Sequence, residues 1–137
     1  GGGVLHLRQC HLLVAALRSG EYKQTGGKLH RTSNDGNRAG WCCLGVAADL
    51  AAKFGLPMDR SETGSYETFD GATDYLPESV VAWYGFETSN PKLLLPDGSA
   101  RGAAVVNDHG YTNIKDGEHK KVSFEDIAAM LKKSYLK

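Results

Sequence analysis

Cysteine is scarce, and its placement is poor for cross-linking. The chain has 3 cysteines in 137 residues, an odd count. Two of them, Cys42 and Cys43, are adjacent, a spacing that rarely bridges without strain. This count and spacing suit free thiols in a reducing compartment, so a cytoplasmic location is expected. An excess of charge of either sign is also missing: Lys+Arg and Asp+Glu stand at 16 each, for a formal net charge of zero. A non-specific nucleic-acid binder displaces phosphate counterions with a basic excess, so no nucleic-acid partner is expected. No apolar run approaches the roughly 18 residues that cross a bilayer, so no membrane partner is expected either. The apolar opening carries Arg8, His6 and His11 without a basic leader, which argues against a secretory signal.

What remains describes an ordinary globular chain, 41% hydrophobic and 23% charged, read as one domain over residues 1–137. Gly1–Gly3 read as a cloning remnant. The 17 glycines imply many turns.

Leu5, Leu12, Leu13, Ala16 and Leu17 recur at helical spacing, predicting a helix over Val4–Ser19 that Gly20 stops. "EYKQTGGKLHR" predicts a short hairpin, with Tyr22 and Gln24 on one arm and Leu29 on the other. "TSNDGNRAG" is a polar loop. A second helix spans Cys43–Phe54 and is closed by Gly55 and Pro57. Residues 58–75 and 107–121 read as long loops. Pro77 and Glu78 open a short helix that stops at Gly85. "KLLLPDGSARGAAVV" predicts strand, turn, strand. Ser123 and Asp126 form a capping box for a last helix through Lys133 or beyond. The fold class is α+β: three to four helices packed with one or two short β-hairpins, the first, second and last helices making the core.

Four ordered motifs carry a resemblance: "ALRSGEYKQ", "CCLGV", "LPESVVAW" and "NDHG" followed by "SFEDIA". Together they resemble a family of small proteins encoded by tailed bacteriophages and prophages. The resemblance spans about Val14 to Leu136. It implies an intracellular viral accessory protein of an infected bacterial cell, of a kind that antagonises host defence. Such proteins bind either a defence protein or a nucleotide messenger.

The residues offer several chemistries. Cys42 or Cys43 at a helix N-terminus, with His109 as base, would make a cysteine hydrolase. Packing is the alternative, since free cysteine is often buried. In that reading Gly45 permits the close approach of a neighbour. A metal site is not expected: the thiols lack C-x-x-C spacing, and the histidines are scattered. No cofactor is implied.

The leading expectation is a nucleotide-like ligand that is bound and not turned over. Arg18, Lys28 and Arg31 would neutralise its phosphate, Tyr22 or Trp41 would stack on its base, and Gln24, Asn107 and Asp108 would hydrogen-bond to it. Each also has a structural alternative. Arg18 can meet a helix dipole, Asn107 and Asp108 can shape a loop, and Trp41 and Trp83 can be core. A homo-oligomer follows if the pocket lies between subunits. The competing function is a protein-binding inhibitor of a host defence enzyme, using the loops around Tyr66–Tyr75 and 110–121.

Overall fold

Five helices and three small antiparallel sheets make up the computed structural model, which describes residues 5–33 and 35–136. Gly1–Gly3, and Val4 at the predicted start of the first helix, lie outside the described residues. Helix α1 (Leu7–Arg18) buries Cys10, Leu13, Val14 and Leu17, a stripe at helical spacing. It packs against α5 (Phe124–Tyr135) and α2 (Cys43–Lys53). Every residue of α2 from Cys43 to Ala51 is buried, the signature of a helix at the centre of a core.

Its glycine has a specific task. A Cβ on Gly45 would lie 1.8 Å from the carbonyl oxygen of Leu29, so only glycine lets α2 press against the chain entering the first strand. Helix α3 (Glu78–Tyr84) follows Pro77, which stands just before the first helical residue and makes no side-chain cap, and ends at Gly85 at φ 80°. In α5 both halves of the Ser123–Asp126 capping box are formed.

The main sheet has the order β2-β1-β4-β3, from β1 (His30–Arg31), β2 (Gly40–Trp41), β3 (Arg60–Thr63) and β4 (Tyr66–Phe69). His30 stands opposite both Trp41 and Glu67. Two further hairpins pair β5 (Lys92–Leu94) with β6 (Ala100–Gly102), and β7 (Tyr111–Thr112) with β8 (His119–Lys120).

The α+β class holds, and the differences are local. There are five helices where three to four were expected. The extra one, α4 (Ala103–His109), was predicted as strand from its apolar "AAVV" run. Its N-terminus has no cap in the local sequence; instead Asn90 Oδ1 accepts the Ala104 N–H at 2.9 Å. A capping residue this far away is invisible to pattern reading.

The predicted 21–31 hairpin also does not close on itself. Its two arms flank β2: Gln24 bridges Trp41 on one side, and His30 pairs with Trp41 on the other. Gly40, at φ 150°, makes this possible, since a Cβ there would meet the Lys23 carbonyl oxygen at 2.6 Å. The two stretches expected as long loops hold structure too. Residues 58–75 contain the β3–β4 hairpin, and 107–121 contain the end of α4 and the β7–β8 hairpin. Polar outward faces concealed the alternation there: all of β3 is exposed, and only Phe69 of β4 is buried.

Candidate functional site

Asn107, near the end of α4, joins three parts of the chain. Its Oδ1 accepts from Gln24 Nε2 at 3.0 Å and from the Cys43 backbone N–H at 3.2 Å. Its Nδ2 donates to the Thr25 carbonyl at 2.8 Å and to Asp108 Oδ1 at 3.0 Å. Gln24 Nε2 also donates to the Val122 carbonyl at 3.1 Å. The start of α2, the 24–26 segment, the end of α4 and the chain leaving β8 are thereby fixed together.

A cleft of about 520 Å3 opens over this junction, within the size range of small-ligand sites. Gln24, Asn107, Asp108, His109, His119 and Lys121 line it. Two glycines shape it. A Cβ on Gly26 would stand 3.0 Å from Asp108 Oδ1, and one on Gly110 would stand 2.0 Å from the Lys120 carbonyl oxygen. Gly110 also has φ 67° and ψ −144°, a conformation essentially reserved for glycine. It turns the chain from α4 into β7.

Inside the cleft the polar groups divide by role. Asn107 spends both amide atoms on the fold. Asp108 Oδ2 and Gln24 Oε1 have no hydrogen-bond partner among the described residues, as do the side chains of His109, His119 and Lys121. The cleft thus holds acceptors, on Gln24 and Asp108, together with cationic or donor groups, on His109, His119 and Lys121. Arg31 stands at the margin: its Nε donates to the Gly26 carbonyl at 2.8 Å, and its terminal nitrogens have no partner among the described residues.

The predicted ligand residues do not all converge. Gln24, Asn107 and Asp108 do, with Arg31 beside them. Arg18 is paired with Glu125 on α5 at 3.1 Å, and Lys28 with Asp74 at 3.2 Å. Trp41 has one ring face covered by His30, stacked 3.5 Å away at 8°, and Tyr22 sits edge-on to it. Tyr22 is buried, its hydroxyl bonded to Asp49. Neither ring lines the cleft. The sequence pointed to His109 only as a base and held His119 and Lys121 only as part of the 107–121 loop. No local signal marks them, because the β7–β8 hairpin is what brings them back to α4.

A second polar cluster was also missed. Tyr22 donates to Asp49 Oδ2 at 2.6 Å, and Lys53 Nζ reaches the same oxygen at 3.1 Å. Arg60 bridges Asp49 Oδ1 at 2.8 Å and both oxygens of Glu67 at 2.7 and 2.9 Å. Glu67 in turn meets His30 Nδ1 at 2.8 Å. Burial alone would push the Asp49 and Glu67 carboxyls up. The bonds from Tyr22, Arg60 and Lys53 to Asp49, and from Arg60 and His30 to Glu67, outweigh it and hold both down. Every acidic oxygen here is occupied, so the cluster fastens the β3–β4 hairpin to α2.

The thiols of the hydrolase reading lie inside the fold. Cys42 and Cys43 are both buried. Cys42 caps α2 by accepting the Gly45 N–H at its sulfur, 3.3 Å away. Burial pushes its thiol up to about 12, overriding the helix-terminal N–H groups that lower it, and burial lifts Cys43 well above the ordinary thiol range. Cys43 Sγ lies against the Ala103 carbonyl at 3.6 Å, facing the core. Among the described residues, no group of three or more His, Cys, Asp or Glu side chains is placed to hold a metal ion, and no helix is long and apolar enough to cross a membrane.

The family model for a domain of unknown function (DUF8296) matches residues 8–135. No curated protein and no solved structure matches the chain. The matched span runs from the first turn of α1 to the last residue of α5 and includes every residue lining the cleft, and the chain is a member of the DUF8296 family.

Proposed function

We propose that this protein binds a nucleotide-derived signalling molecule, without turning it over, in the cleft between Gln24–Gly26, Asn107–Gly110 and His119–Val122. Its biological setting is antagonism of host immunity by a phage, as the motif resemblance implies. One observation carries the binding reading: acceptors at Gln24 and Asp108 share a concavity of ligand size with Lys121 and two imidazoles. A nucleotide needs this pairing. Its phosphate takes cations and N–H donors, and its ribose and base take acceptors. In this reading Lys121 and Arg31 neutralise phosphate, His109 and His119 donate to it, and Asp108 and Gln24 accept from the sugar or base. Asn107 frames the site.

The test is a thermal-shift panel of cyclic and ADP-ribose-type nucleotides. A ligand at a hundredfold excess over its Kd stabilises by about 2.7 kcal/mol, a rise on the order of 10 °C for a chain of this size. The nucleotide recovered after heating is intact if capture is the activity. A flat response across the panel removes the proposal.

A protein-binding inhibitor is the second reading. It is favoured by Ile114, 70% exposed between β7 and β8. Capture of one host enzyme at equal stoichiometry, lost in Ile114→Lys and indifferent to nucleotide, would put it first.

A further inference from the structure

Next to the polar cleft, a smaller hollow of about 350 Å3 opens between the β5–β6 turn, the β7–β8 hairpin and α5. Its floor is apolar, with Leu94, Tyr111 and Met130 from those three elements. Its rim carries Lys120, Lys121 and Lys133 against a single carboxylate, Asp126. The rim charges are not matched locally. Asp126 accepts the Ser123 N–H at 3.0 Å in the α5 cap; it keeps its single negative charge but forms no ion pair with a rim lysine. Lys120 is already neutralised by Glu118 at 3.0 Å and Asp116 at 3.4 Å. Lys121 and Lys133 have no carboxylate partner among the described residues. In a chain of zero net charge, two unmatched ammonium groups therefore border one apolar hollow of ligand size.

We propose that this groove binds a small organic anion with an apolar body, a medium-chain or aryl carboxylate. The body lies on Leu94, Tyr111 and Met130, and the carboxylate meets Lys121 and Lys133. Apolar burial holds the body. The low-dielectric floor strengthens the charge pairing beyond what an open surface gives, so the site discriminates against a neutral molecule of the same shape. The inference stands on the groove's own lining, which shares Lys121 and Val122 with the nucleotide cleft. Lys121 lines both hollows, so the diagnostic positions are Lys133 and Ala129, which line only the groove.

Sodium octanoate, below its micellar concentration, and 1-octanol are titrated into the full chain, followed by calorimetry and backbone amide shifts. Octanoate should bind saturably at one site and shift the amides of Leu94, Tyr111, Val122 and Met130. Octanol should bind at least tenfold more weakly, and Lys133→Gln should weaken octanoate by about tenfold, the scale of one charged hydrogen bond. Ala129→Glu, at an exposed helical position, should abolish binding while the circular dichroism spectrum is kept. Absence of saturable binding, shifts confined to other residues, or equal affinity for octanol or in Lys133→Gln would each overturn the proposal.

Discussion

Asn107 commits its whole side-chain amide inside the fold, accepting from Gln24 and Cys43 and donating to Thr25 and Asp108. Removing it leaves the Cys43 N–H and the Thr25 carbonyl without their partner. Asn107→Ala should therefore cost about 2–3 kcal/mol in urea unfolding, the desolvation penalty of buried groups left unpaired. Gln24→Ala should cost less, and the double variant should cost less than the two summed, because the residues share a bond. The thiols give a second test at this scale. With Cys42 pushed up to about 12 and Cys43 held well above the ordinary thiol range by burial, neither holds appreciable thiolate at pH 7. Labelling by a thiol reagent should proceed only as fast as the protein opens, and fast labelling in the native state would restore the nucleophile reading.

Helices and hairpins here are held by contacts of two kinds, and these differ in how well the sequence displays them. Gly45 represents the first kind, steric and local. Gly45→Ala would drive a methyl into the Leu29 carbonyl, and the expected loss is about 3 kcal/mol or more, measured as a fall in melting temperature. The second kind is the ionic fastening of β3–β4 to α2. Asp49 and Glu67 sit below their ordinary values of 3.8 and 4.5 in the folded protein. A carboxyl lowered on folding adds stability that is complete above its unfolded value and is lost as pH falls through its folded one. Unfolding free energy should hold between pH 7 and 5 and decline below about pH 4. Arg60→Ala, which removes the shared partner, should be less stable at pH 7 and show a shallower decline.

Legibility follows the same division. Helices α2, α3 and α5 could be read because their stops and caps lie within a few residues: Gly55, Gly85, and Ser123 with Asp126. Helix α4 could not, because its cap is Asn90. The sheet could not either, because two-residue strands such as His30–Arg31 and Gly40–Trp41 carry no periodicity.

Across the whole molecule, the motifs placed Gln24, Asn107 and Asp108 at the candidate cleft, although they lie more than eighty residues apart along the chain for two of the three pairings. The opposite wall, His119 and Lys121, was beyond sequence reasoning because it depends on how the β7–β8 hairpin folds back over α4. Arg18, Lys28, Tyr22 and Trp41 do not line this cleft. Each has another partner: Arg18 and Lys28 pair at the surface with Glu125 and Asp74, Tyr22 bonds to buried Asp49, and Trp41 stacks on His30. The account therefore narrows the ligand contacts to one concavity built from residues 24–26 and 107–122. The most direct test is a titration of backbone amide shifts with the nucleotide that gives the largest thermal shift, in the wild type and in Lys121→Gln/His119→Gln. The account predicts shifts confined to Gln24–Gly26, Asn107–Gly110 and His119–Val122, with affinity reduced by about tenfold or more in the double variant. Shifts centred on Trp41 and His30, or unchanged affinity in the variant, would contradict it.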